Sequence, residues 1–421
     1  MPSPSEPSES VPFPPHGGYL KAVRDSSRAA REKANITISE QSIKRLLLSP
    51  AFTNTFARLR VAHGMAMPLN FSSVKEELNV LSVLSLLNFA SGYRVPLHIA
   101  TGRGAFDNIR AFIFAAYISS STGAGDYFSA RGMKEVTPTA VADLMRVTTA
   151  IHVERPHETI PGVTVGELGG PVWEIVQIIA KTLNETGEAL INGGYPDLGS
   201  FVLEALTEGE KAKKAGSDEC ETVVERLVHA IPGFRDMALV YGQPVYCFKK
   251  ALLTLHAVAL RFGRSDSPAV PLPRTDHLPI FSDNVIPSLL VHLGVIDLST
   301  ADASLGLPQL FPDAQNPERL EGLLAAAQPV EPVIAKIESV PKEGPLLTVE
   351  QAYLLRAAAI DACELIVQHA RTLDVSGAAE DLSWMKNMTL PELDGWIWAV
   401  AKDRPDYRKL ERFALRNTAY F

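Results

Sequence analysis

The residues best suited to chemistry are two aspartates, a phenylalanine and a lysine pair. Asp283 stands in Phe281-Ser282-Asp283-Asn284-Val285-Ile286-Pro287. Asp394 stands in Leu393-Asp394-Gly395-Trp396-Ile397-Trp398, beside two of the chain's four tryptophans. A carboxyl against an aromatic wall is desolvated, so its pKa moves, and the same wall can line a pocket for a flat ligand. Lys249 and Lys250 follow a β-favouring stretch and open a helix, where a phosphate could meet a helix N-terminus and an ammonium together. Each feature has a plainer reading. Asp283 reads equally as a capping residue, Asp394 as a helix-terminal acid beside core tryptophans, and the lysines as a solvated pair.

The elements that must position these residues are overwhelmingly helical. Leu78, Val80, Leu81, Val83, Leu84 and Leu87 predict a helix that is apolar nearly all round and therefore central. Residues 104–118 repeat that character, and 171–190 is amphipathic, with Ile175, Val176, Ile178, Ile179 and Leu183 on one side. Asp218-x-x-Glu221 has the form of a capping box ahead of Val223, Val224, Leu227 and Val228. Residues 237–248, MALVYGQPVYCF, predict a small hairpin turning at Gly242-Gln243, followed by a helix from Lys249 to Arg261 closed by Gly263. Pro287 favours the first turn of a helix, which places Asp283 in the loop just ahead of it.

Residues 1–18 hold six Pro and four Ser, and the segment 1–34 is expected to be a disordered tail. Residues 264–279 read as a loop with four Pro, and 302–346 as an irregular excursion with seven. The expected fold class is mainly α: a single helical domain over 35–421, with one hairpin and Pro-rich insertions.

Composition narrows the function classes. The chain has 421 residues, of which 46% are hydrophobic and 21% charged, as in ordinary globular proteins. Its formal charge of −8 disfavours a nucleic-acid-coating surface. No apolar run approaches the roughly 20 residues of a membrane span, and the start does not have the order of a signal peptide. The 3 cysteines are far apart and form no zinc-ligand spacing. No P-loop, complete dinucleotide fingerprint, G-x-S-x-G elbow or HExxH occurs. The expectation is a cytoplasmic monomer that needs no metal or cofactor and binds neither nucleic acid nor membrane.

Several segments, in order, resemble the queuosine salvage family of queuosine 5′-phosphate N-glycosylase/hydrolases. They are Leu87-Asn88-Phe89; Leu183-Asn184-Glu185-Thr186-Gly187; Phe234-Arg235-Asp236 leading to Phe248-Lys249-Lys250-Ala251; Phe281-Ser282-Asp283 with Pro287 and His292-Leu293-Gly294; and Leu393-Asp394 through Trp398, with an aromatic residue at the C-terminus. The resemblance implies a fold like that of helical DNA glycosylases. It also implies hydrolysis of the N-glycosidic bond of queuosine 5′-monophosphate, which releases queuine for tRNA modification without a cofactor. Breaking that bond builds positive charge on the ribose, which a carboxylate can stabilise or attack, or against which it can activate water. The 7-deazaguanine base has no N7 to protonate, so the leaving group needs help at another polar edge.

By resemblance, Asp394 stands at the reacting sugar and Asp283 at the sugar or base. Phe281 stacks the base, Lys249 holds the phosphate, and His63, Asn284 and Trp398 contact substrate. The chain also departs from the family pattern. Asn284 stands where a Tyr is usual, Gly395 replaces an aromatic residue, Ala399 replaces a second acid, and Ala90-Ser91-Gly92 replaces a bulky aromatic. The alternatives are a catalytically altered paralogue that binds a nucleotide-like ligand, or a helical interaction protein. The nucleotide reading requires Phe281, Asp283 and Asp394 to line one cavity, with the carboxyls within roughly 10 Å.

Overall fold

The computed structural model describes residues 11–61, 67–263, 269–326, 340–377 and 381–421. The protein is mainly helical, with eighteen α-helices among the described residues and three antiparallel strand pairs. Its centre is the helix Val74–Leu86. The Ser73 hydroxyl caps it by accepting from Glu76 N–H, and every residue from Leu78 to Leu86 is buried. Two serines inside this apolar helix return their hydroxyls to the backbone, Ser82 to Leu78 O at 2.7 Å and Ser85 to Leu81 O at 2.9 Å, so no polar group there is stranded. The helices Leu198–Lys214 and Lys249–Phe262 pack on either side of it.

A second centre is the long helix Val349–Thr372, started by a Thr348/Gln351 capping box. Packed on it are the helices Tyr19–Lys33, Val285–His292 and Leu390–Asp403. The last of these starts from its own Thr389/Glu392 capping box, with Pro391 in the first turn. These are the elements that carry the two aspartates. Among the described residues, no single helix is long and apolar enough to cross a membrane.

Three expectations are corrected. The tail does not extend to residue 34, because Tyr19–Lys33 is a helix with Tyr19, Leu20 and Val23 in the core. The cause lies far along the chain. Glu221 does not complete a capping box with Asp218; its carboxylate accepts from Tyr19 N–H at 2.7 Å and Leu20 N–H at 3.0 Å and so caps this first helix. Asp218 still caps its own helix, Glu219–Ala230, through Cys220 N–H at 2.7 Å.

The hairpin Met237–Val240/Gln243–Tyr246 forms, but it turns at Tyr241-Gly242, one residue earlier than expected. Both turn residues have positive φ, 52° and 70°, as a two-residue type I′ turn requires. A second hairpin, His152–Pro156 with Thr164–Leu168, was not foreseen; its largely exposed strands lack the buried alternation that marks a strand. The Pro-rich excursion carries the short helix Pro317–Leu324, held by Arg404, which donates to Ala325 O and Gly322 O.

Candidate active site

The site is assembled around one fully buried ion pair. Arg356, on the Val349–Thr372 helix, donates from Nη1 and Nη2 to Asp236 at 2.8 and 2.6 Å, and both side chains are 0% exposed. Asp236 also accepts from Tyr353 Oη at 2.8 Å and from Lys249 N–H at 3.1 Å. On its other edge Arg356 donates from Nε to Ser282 O at 2.9 Å, and Ser282 returns its hydroxyl to Arg356 O at 3.1 Å. A buried pair is tolerated only when its remaining hydrogen-bonding capacity is satisfied, and here those extra bonds fix two functional segments. One is the start of the Lys249–Phe262 helix, entered through Phe248 in the left-handed region at φ 45°. The other is the Phe281-Ser282-Asp283 loop.

That loop delivers the two acids to one place. Asp283 Oδ1 accepts from Val285 N–H at 2.7 Å and Ile286 N–H at 3.2 Å, so it caps the Val285–His292 helix. Asp394 Oδ2 accepts from Phe281 N–H at 2.7 Å. Phe281 is two residues before Asp283, a span of at most about 7 Å of chain. The two carboxyls therefore share a neighbourhood, and the charge of Asp283 acts on Asp394. Burial pushes the Asp394 carboxyl up to about 8; Asp283 adds to the rise, while Phe281 N–H and Lys249 oppose it. Burial likewise brings the Lys249 ammonium down to about 8, against the pull of Asp283.

The other expected residues fall as follows. Lys249 is buried, and its ammonium donates to Asn88 O at 2.6 Å and Asn88 Oδ1 at 2.8 Å, which fastens it to the end of the central helix. Phe281 is buried with its ring 5.3 Å from that of His256. Asn284 donates to Phe413 O at 2.8 Å, and its own Oδ1 is buried without a partner. Trp398 lies half-buried one turn beyond Asp394 on the same helix. His63 lies outside the described residues. The structure thus gathers Phe281, Asp283, Asp394 and Lys249, and places Trp398 on the side of the helix that carries Asp394.

Sequence reasoning missed Arg356, Lys402 and Arg412. A single arginine between Leu354-Leu355 and Ala357-Ala358-Ala359-Ile360 was a usable signal, because a charge in an apolar helix stretch implies a buried partner. Lys402 stands eight residues after Asp394, about 80° round the helix from it, on the adjoining side. Arg412 follows the helix in irregular chain and carries no local signal.

Two other features lie apart from the acids. A cleft of about 480 Å³ is lined by residues including Gln41, Arg45, Val291, Asp297 and Phe311, and by neither aspartate. Asp218, Cys220 and His277 have metal-ligand atoms close together. They already serve one another and the backbone: Asp218 bonds His277 Nε2 at 2.7 Å, and Cys220, its thiol pushed up by burial, donates to Arg274 O at 3.3 Å.

Comparison with curated proteins gives no match to this chain. A family model does match, over a segment that contains Lys249, Phe281, Asp283 and Asn284 and ends before Asp394. Residues 174–305 match the model of the queuosine salvage protein family, the family that the sequence motifs resemble, and the match supports a role in queuosine salvage.

Proposed function

We propose that the protein is an N-glycosyl hydrolase that cleaves queuosine 5′-monophosphate to queuine and ribose 5-phosphate. The observation that carries this reading is the Asp394–Phe281 N–H bond, which sets a buried, proton-holding carboxyl beside a second carboxyl. Two acids in unlike environments can divide the work of acid and base. Asp394 keeps its proton up to about 8, so it is the general acid that donates to the departing base. Asp283 has Lys249, Lys402 and Arg412 within electrostatic reach and a helix N-terminus on one oxygen. In this reading it opposes the ribosyl cation and accepts a proton from the attacking water. The C1′–N bond breaks with its electron pair going to the base, which takes the Asp394 proton. Water oxygen bonds to C1′, and its proton goes to Asp283.

The test is incubation with queuosine 5′-monophosphate and detection of free queuine. Release by the wild type, and release about a hundredfold or more slower by Asp394→Asn, is the expected result. Equal release by both would overturn the assignment. The second reading, ligand binding without turnover, is favoured by Gly395 and Ala399. Both are buried within the Leu390–Asp403 helix, where Gly395 offers no aromatic side chain and Ala399 no carboxyl at the positions where the family pattern has them. Tight binding of the nucleotide with no queuine release would select it.

A further inference from the structure

We propose that Lys402 and Arg412, which lie within electrostatic reach of Asp283, form together with Arg94, the neighbour of Arg412, an anion subsite that takes the phosphoryl group of a phosphate monoester. The three cations come from separate parts of the chain. Lys402 is near the end of the Leu390–Asp403 helix, Arg412 in the segment beyond it, and Arg94 at the start of the helix Arg94–Thr101. None of the three has a carboxylate within 4 Å among the described residues. What they do contact is neutral. Lys402 Nζ lies 3.1 Å above the Trp398 ring centroid and 5.6 Å from that of Phe106. Arg412 donates from Nη2 to Ala401 O at 2.9 Å, and Arg94 from Nη2 to Arg408 O at 3.2 Å. Arg412 Nε is buried with no partner among the described residues, a donor that none of them satisfies.

The cations act on one another and on the site. Arg94 opposes the charge of Arg412; Asp107 favours the charge of Lys402 most, ahead of Asp283, and Arg412 and Arg110 oppose it; Asp283 also favours that of Arg412. Burial lowers Lys402 to about 7 and Arg412 to about 9. Desolvated like charges repel, and an incoming dianion relieves both the repulsion and the missing acceptor. Lys249, whose ammonium is already bonded twice to Asn88, is less suited to that task than the sequence implied. The inference rests on the nucleotide reading above only for the identity of the group that bears the phosphate.

The test is calorimetric titration of inorganic phosphate into the full chain at low salt. Saturable binding by the wild type is expected, weakened about tenfold or more in both Lys402→Met and Arg412→Gln. Lys402→Arg keeps the charge and should retain binding; melting temperatures check that each variant folds. No binding by the wild type, or undiminished binding by both neutral variants, overturns the subsite. So does loss of binding in Lys249→Met alone. Phosphate bound through Lys402 and Arg412 without release of queuine leaves the subsite standing and overturns the reaction. Queuine release with an unchanged KM in both neutral variants overturns the subsite and leaves the reaction standing.

Discussion

Asp394 owes its proton to burial, and that has consequences for rate and for stability. In the fold it holds the proton up to about 8, whereas the unfolded chain ionises near 3.8. Between those values the unfolded state gives up a proton that the folded state keeps, so this residue erodes stability as pH rises through that window. Below the window the effect is absent, and above it the effect is constant. Asp394→Asn removes it. The stability of the variant relative to wild type should therefore climb from pH 4 to pH 8, by up to about 1.4 kcal/mol per pH unit. Urea unfolding at pH 5 and pH 8 measures this; a variant whose stability relative to wild type falls from pH 5 to pH 8 would contradict it. Activity should move in the opposite sense. A general acid fails when it ionises, so kcat for queuine release should fall as pH rises through about 8. Asp394→Asn should lower it about a hundredfold to ten-thousandfold while leaving the protein folded.

At the scale of elements, the Asp236–Arg356 pair ties the Lys249–Phe262 helix, the Val349–Thr372 helix and the Phe281–Asp283 loop into one unit. Breaking a buried ion pair from one side strands the other charge and costs about 3–5 kcal/mol. Asp236→Ala should be the harsher change, because it leaves Arg356, Tyr353 Oη and Lys249 N–H all without their acceptor. Arg356→Met leaves Asp236 with its other donors and should cost less. Equilibrium denaturation of the two variants checks the order. In whatever fraction stays folded, turnover should fall too, because Arg356 is what holds Ser282 O and with it the Asp283 cap.

At the scale of the whole molecule, the C-terminal segment closes the structure over the site. Phe413 O accepts from Asn284, Phe413 N–H donates to Ser288 Oγ at 3.2 Å, Ala419 O accepts from the buried Lys250 ammonium at 2.5 Å, and the Phe421 ring lies 4.3 Å from the Arg356 guanidinium. The segment fits against Gly92 with no room to spare. A Cβ on Gly92 would stand 2.0 Å from Leu415 O, a backbone atom that cannot turn aside. Gly92→Ala should thus push the segment away and destabilise by about 1–3 kcal/mol. A thermal melt should show the loss, and queuine release should drop with it. An unchanged melting temperature would mean that the segment is not fastened there.

What the sequence determined by itself was local. Apolar periodicity placed the central Val74–Leu86 helix and the long Gly170–Asn192 helix, because burial on a helix repeats within a few residues. Pro287 put Asp283 just ahead of the Val285–His292 helix for an equally local reason. The motifs also named the residues that meet at Phe281, Asp283 and Asp394. What only tertiary structure decided was partnership across distance. Phe281 and Asp394 are 113 positions apart, and Asp236 and Arg356 are 120. Glu221 had the local signature of one helix start and caps another, 201 positions away at Leu20. Lys249 stood correctly at a helix start, but its ammonium turned to Asn88, 161 positions back. Backbone conformation is set by a residue and its neighbours, whereas a buried polar side chain takes whatever partner the packed fold brings to it, and no local pattern records that choice.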